Sequence, residues 1–171
     1  MWWDPAPARI WRYNPSIRLV VCLRNPISRA YSHWSMEYDR GKESLKFDDA
    51  LKKELTRSRL TLPSQDRRHS YVDRGFYVHQ INRLWRFFGK ESVLILRQED
   101  LHDNPNHCLN IVCNHLGVSP MPPFDPQLSR VGSQRKPMSS WARQYLHDCF
   151  AGEISTLEAM LGWDCNSWLK N

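Results

Sequence analysis

The sequence predicts an α/β protein with a mostly parallel sheet flanked by helices, and three observations carry that prediction. Two short aliphatic runs, residues 17–23 and 93–96, are rich in branched side chains and each closes on a charged residue, the pattern of buried parallel strands. Helical patterns of period three to four separate them, as crossover connections require. The 171 residues suit one domain spanning 1–171, and no internal repeat divides them.

Each element follows from local chemistry. After the first strand comes Asn25-Pro26, a helix opening in which Asn caps and Pro gives up an N–H that has no partner at that position. The helix runs to about Arg40, with Ile27, Ala30, Tyr31, Trp34 and Tyr38 recurring at three and four, and Gly41 ends it. A short amphipathic helix is expected from Phe47 to about Leu55, followed by an Arg-rich loop. From Phe76 to Phe88, Ile81, Leu84, Trp85 and Phe88 share a face, and Gly89 leads into the second strand. Asp103-Asn104-Pro105 opens another helix that ends at Gly117. The stretch from Pro120 to Pro137 is proline-rich and irregular, and it carries Arg130, Arg135 and Lys136. Ser139 to Leu161 reads as two helices divided by Gly152, with Trp163 and Trp168 packing the tail.

Composition narrows the function classes. Twenty-four Lys and Arg against 18 Asp and Glu give +6, which favours an anionic partner and leaves DNA, acidic glycans and nucleotides open. Acidic residues are interleaved nearly everywhere, unlike the single basic stripe of a nucleic-acid module, so no nucleic-acid partner is expected. The densest cluster, Arg57, Arg59, Arg67 and Arg68 around Pro63 and Ser64, reads as a solvated loop ahead of a polyanion groove. The longest aliphatic stretch, Leu19 to Leu23, is far short of the roughly 20 residues that span a bilayer, so no membrane segment is expected. The N-terminus lacks the basic start and apolar core of a secretory signal and reads as the middle of a longer protein. Five cysteines without a CxxC argue against a disulfide framework and for a reducing, cytoplasmic compartment, although a Golgi-type parent also fits. His102, His107, Cys108, Cys113 and His115 crowd together, but on a helix from Pro105 to Leu116 His107 and His115 share a face with Ile111 while Cys108 points with Val112 towards another, so buried thiols beside surface imidazoles are expected there and no metal site.

Parallel sheets bind ligands at the carboxyl ends of their strands, which directs attention to Arg24. The segment Leu23-Arg24-Asn25-Pro26-Ile27-Ser28-Arg29-Ala30-Tyr31-Ser32 sets a guanidinium at a strand end beside the N–H groups of a helix start, with the Ser32 hydroxyl on that helix. Unpaired N–H groups, a two-toothed guanidinium and a hydroxyl make an anion cradle. An Arg salt-bridged to a neighbouring carboxylate, with a Ser that merely solvates a turn, explains the same residues. On physics alone both readings stand.

The segment resembles the 3′-phosphate-binding motif of sulfotransferases that use 3′-phosphoadenosine 5′-phosphosulfate (PAPS), and the likeness covers nearly the whole chain. Asn14-Pro15, Arg24-Asn25-Pro26, Arg29-Ala30-Tyr31-Ser32, Arg74-Gly75-Phe76-Tyr77 with Gln80 and Trp85, Glu99-Asp100-Leu101 and Leu161-Gly162 with a following Trp are all similar to that family, nearest its bacterial and heparan-sulfate-type branch. The resemblance implies a P-loop-NTPase-like sulfotransferase fold, with Arg24 and Ser32 on the cofactor's 3′-phosphate. It also implies a basic loop over the nucleotide, for which Arg130, Arg135 and Lys136 lie in the corresponding stretch, although Gln134-Arg135-Lys136-Pro137 departs from the family's Lys-Gly-Arg. Glu99 and Asp100 read as loop-orienting carboxylates that pair with basic neighbours; Arg74 and Tyr77 face an acceptor groove or tie down a helix start, and both readings stand.

The family's opening strand and Pro-Lys-x-Gly-Thr-Thr loop, which grip the 5′-phosphosulfate, have no counterpart in the sequence. Gly41-Lys42-Glu43-Ser44 and Gly89-Lys90-Glu91-Ser92 echo a Walker loop, but Met36 and Leu84 stand where its first glycine belongs. His33 does not match the family's general base and reads as a helix-surface residue. No catalytic residue is assigned, and an N-terminally truncated sulfotransferase, inactive alone and with an exposed apolar sheet edge, is expected. For a complete relative the resemblance implies in-line sulfuryl transfer to a hydroxyl or amine of a glycan, lipid or small molecule, a general base taking the acceptor proton. A non-catalytic module that binds a nucleotide or sulfated polyanion is the alternative.

Overall fold

The computed structural model describes residues 1–125 and 137–170, which gather into two compact units. The first takes Trp3–Arg24 and the chain that resumes at Gln80; the second takes Asn25–His79 and the C-terminal helices.

In the first unit, β1 (Leu19–Leu23) and β2 (Val93–Arg97) pair in parallel, Leu19 opposite Val93 and Leu23 opposite Arg97. These are the two strands and the pairing that the sequence predicts. Burial departs from the expectation, because β1 alternates: Leu23 is buried while Val20 is 41% exposed. Leu19, Val21 and Ile95 instead turn together onto Leu84 and Phe88 of α4 (Tyr77–Phe88), whose boundaries fall within a residue of those expected. A helix not foreseen, α1 (Pro5–Tyr13), precedes β1. Its Asp4-Pro5 opening repeats the Asn25-Pro26 pattern, but the Asp4 side chain makes no cap hydrogen bond. After β2 the chain forms α5 (Gln98–Asp103) and α6 (Pro105–Leu116), both packed on that strand, and Gly117 ends α6 in the left-handed conformation at φ 73°. Cys108 and Cys113 are buried on α6 and His107 is exposed, as the helical spacing requires; His102 is exposed on α5, whereas His115 is half-buried with Nε2 3.2 Å from the Leu19 carbonyl, so it departs from the surface imidazole expected.

The second unit is helical. Its core joins Ile27, Ala30 and Trp34 of α2 (Pro26–Asp39), Phe47, Ala50 and Leu51 of α3 (Phe47–Thr61), and Leu146, Phe150, Ile154 and Leu157 of α7 (Ser140–Leu161). Helix α3 runs past the expected end at Leu55 and takes in Arg57 and Arg59, which therefore lie on a helix and not in a loop. The expected break at Gly152 is absent: α7 is continuous, because a stripe of fully buried apolar residues on both sides of that glycine outweighs its propensity cost of about 1 kcal/mol. Beyond Gly162, Trp168 on the short α8 (Asn166–Leu169) is buried, edge-on to Trp163 at 6.4 Å, as the sequence suggests.

Candidate functional site

The first segment of the first unit closes at Arg24, half-buried directly after β1, and Asn25, the cap of α2, belongs to the second unit. Asn25 Oδ1 accepts the N–H groups of Ile27 at 2.9 Å and Ser28 at 3.4 Å, while its Nδ2 donates to the Trp168 carbonyl at 3.0 Å. This corrects the expected cradle of unpaired helix N–H groups. Pro26 has no N–H and the next two are taken by the cap, so α2 offers an anion its dipole and its side chains but not those donors.

The side chains remain suited to a phosphate. Ser32 is exposed on the second turn of α2, and Ser28, half-buried, lies one turn before it on the same face. No Asp or Glu occurs in the sequence from Val20 through Met36. Arg29 is diverted: its guanidinium donates to the Tyr71 carbonyl. Arg130, Arg135 and Lys136 lie outside the described residues.

His33 is a second correction, for it is buried and not on the helix surface. It falls three residues after Ala30 and four before Glu37, both buried, so helical spacing places it on the inward face. Burial first, then the charges of Arg74 and Arg29, hold its imidazole at about 3, so it is neutral at physiological pH.

Two buried carboxylates anchor this face, and the sequence reading did not single out either in that role. Glu43 accepts both Arg57 nitrogens, at 2.5 and 3.2 Å, the Tyr71 hydroxyl at 2.8 Å and the Ser44 and Leu45 N–H groups. Burial opposes its charge, but these donors prevail and hold it down at about 2. Glu54 accepts the Val72 and Asp73 N–H groups at 2.9–3.1 Å, and burial nevertheless pushes its carboxyl up to about 7. Glu54 thus fixes the 3-10 turn Asp73–Gly75, from which Arg74 donates to the Arg67 carbonyl and lies over the Trp2 ring at 4.3 Å. Tyr77 is buried at the start of α4. Asp100 chelates Arg97 at 2.7 and 2.9 Å, the basic neighbour expected for it.

A strand closing on arginine, an Asn-Pro helix opening and a serine two turns in follow one another along one described stretch of chain. The sequence profile of the sulfotransferase domain matches residues 2–138. The chain belongs to the sulfotransferase family. A solved structure, a sulfotransferase from Alicyclobacillus acidocaldarius, superposes on this sulfotransferase domain with a TM-score of 0.80 at 27% sequence identity. The match covers 96% of this chain and 62% of that one, so the present sequence spans less than two thirds of its neighbour's length. No curated protein matches the sequence. The sulfotransferase fold and the parallel sheet expected from the sequence are therefore both found.

Proposed function

We propose that this chain forms part of a PAPS-dependent sulfotransferase and carries the half of the cofactor site that holds the 3′-phosphate. The observation behind this reading is the carboxylate-free segment in which half-buried Arg24 closes β1 and exposed Ser32 stands on the helix capped by Asn25. Arg24 supplies two charge-assisted donors, Ser32 supplies a hydroxyl, and the α2 dipole favours the bound anion. Arg130, Arg135 and Lys136 are assigned to a basic loop over the nucleotide. When bound, PAPS supplies an activated sulfuryl group for transfer to a hydroxyl or amine of a glycan, lipid or small molecule. The reading is of one sulfotransferase-like domain over 1–171, acting in the cytoplasm.

Calorimetry with 3′,5′-adenosine bisphosphate, the product nucleotide, tests the reading. Replacing Arg24 by Ala removes a charged hydrogen-bond donor worth about 1.5–3 kcal/mol and is expected to weaken binding roughly 10- to 100-fold. Ser32→Ala is expected to cost a smaller, neutral-donor amount of about 1 kcal/mol. Unchanged affinity in Arg24→Ala sinks the assignment, whereas binding that depends on Arg24 in a chain without turnover leaves the non-catalytic module as the simpler description.

A further inference from the structure

Three leucines stand largely in water at one end of α3: Leu55 is 63% exposed, Leu60 82% and Leu62 71%. Single exposed leucines are ordinary on a protein surface, but a cluster of them marks a contact. Their spacing sets them on the outward arc of the helix. Leu55, Arg59 and Leu62 follow at four and three, Lys53, Thr56 and Leu60 at three and four, and all six are exposed, while Ala50, Leu51 and Glu54 turn inward. Beside this arc, Lys52 lies over the Trp141 ring at 4.7 Å, and Trp141, stacked on Tyr145, is itself 41% exposed.

The charge on the arc is one-sided. Glu54 is the only acid from Ala50 through Gln65, and it is buried. Asp48 and Asp49 lie in the first turn, at the far end of α3 from Leu60, and Asp48 accepts the Ser139 hydroxyl. Asp66 accepts the Arg68 and His69 N–H groups. Arg57 is held by Glu43, so the cations that stand among the leucines are Lys53 and Arg59. A sulfated glycan would meet those cations and leave the leucines in water. A bilayer with anionic headgroups meets both, because leucine and tryptophan enter the boundary between headgroups and acyl chains while lysine and arginine stems reach back to the phosphates. No helix among the described residues is long and apolar enough to cross a membrane, so such a contact is peripheral.

We propose that the outward arc of α3, with Leu55, Leu60, Leu62, Lys53 and Arg59, docks the chain on an anionic membrane surface, with Trp141 at its margin. The inference goes beyond the sulfotransferase reading and does not rest on it.

Co-sedimentation with vesicles tests it, phosphatidylcholine mixed with phosphatidylserine against phosphatidylcholine alone. The chain is expected to pellet with the mixed vesicles and to stay in solution with the neutral ones. Leu60→Ser combined with Leu62→Ser is expected to weaken binding about tenfold or more, since both side chains leave water in the bound state. Lys53→Gln combined with Arg59→Gln is expected to cost about fivefold per charge, and added salt to weaken binding of the unsubstituted chain. All four side chains are exposed, so thermal unfolding is expected to be unchanged; should one pair lose its fold, the other pair carries the test. No pelleting with the mixed vesicles, equal pelleting with the neutral ones, or full affinity in a folded substituted pair overturns the proposal. Two further outcomes also overturn it. Heparin binding without vesicle binding, indifferent to the leucine pair, makes the arc a polyanion site. Self-association without vesicle binding, lost in the leucine pair, makes the occupant a second copy of the chain.

Discussion

At the scale of single residues, the second unit depends on two carboxylates that titrate in opposite senses. The folded-state value of Glu43, about 2, lies below its ordinary 4.5. Its stabilisation is therefore present above about pH 4.5 and disappears as pH falls through about 2. Truncation in Glu43→Ala leaves Arg57 and the Tyr71 hydroxyl without their shared acceptor, and breaking such a buried pair costs about 3–5 kcal/mol. Urea unfolding at pH 7 is expected to show that loss. Glu54 runs the other way, with a folded value of about 7 above the same 4.5. Its contribution is full below about pH 4.5 and is lost as pH rises through about 7. In Glu54→Gln an amide oxygen still accepts from Val72 and Asp73 and nothing titrates, so the decline in stability between pH 5 and 7 is expected to flatten. An unchanged slope would show that Glu54 is not its source. Neither role was legible in the sequence, because Arg57 and Tyr71 stand 14 and 28 positions from Glu43 and only the fold brings them to it. The Asn25 cap was legible, since cap and capped N–H groups lie within three positions.

At the scale of elements, what the sequence conveyed was periodicity, and it failed where a tertiary contact overrode a local signal. Gly41, Gly89 and Gly117 end their helices as expected, each with positive φ. Gly152 has the same local appearance, yet its φ is not positive and α7 passes through it. A Cβ built there meets nothing within 4 Å, so Gly152→Ala is expected to raise stability by about 0.5–1 kcal/mol, visible as a higher Tm. A helix broken at that position would show no such gain. Gly75 is the opposite case. Its Cβ would fall 2.4 Å from Phe150 Cζ and 3.2 Å from Pro26 Cβ, and Phe150 is fully buried and has no room to withdraw. Gly75→Ala is expected to cost about 1–3 kcal/mol by overpacking, measured by the same thermal unfolding. The Arg74-Gly75-Phe76-Tyr77 run noticed in the sequence thus has a packing reason at its glycine and at buried Tyr77.

At the scale of the whole chain, family membership and chemical competence are separate questions. The profile match and the TM-score of 0.80 establish the first, and the 62% coverage of the neighbouring sulfotransferase keeps the second a proposal. Sulfuryl transfer needs donors on the 5′ side, where charge develops on the bridging oxygen, and a base for the acceptor proton. The 171 residues contain no Lys-x-Gly-Thr-Thr stretch, and the His33 imidazole buried on α2 is held at about 3, too weak to take a proton from an alcohol near neutral pH. Binding of a 3′-phosphate, as proposed for Arg24, Ser32 and the dipole of α2, asks less. On the proposed reading the two activities are therefore expected to separate in this chain: binding of adenosine bisphosphate that depends on Arg24, and no transfer of a sulfuryl group from labelled PAPS above a protein-free blank. Turnover above that blank, abolished by Arg24→Ala, would place the missing donors and base among residues that carry neither role in the present reading.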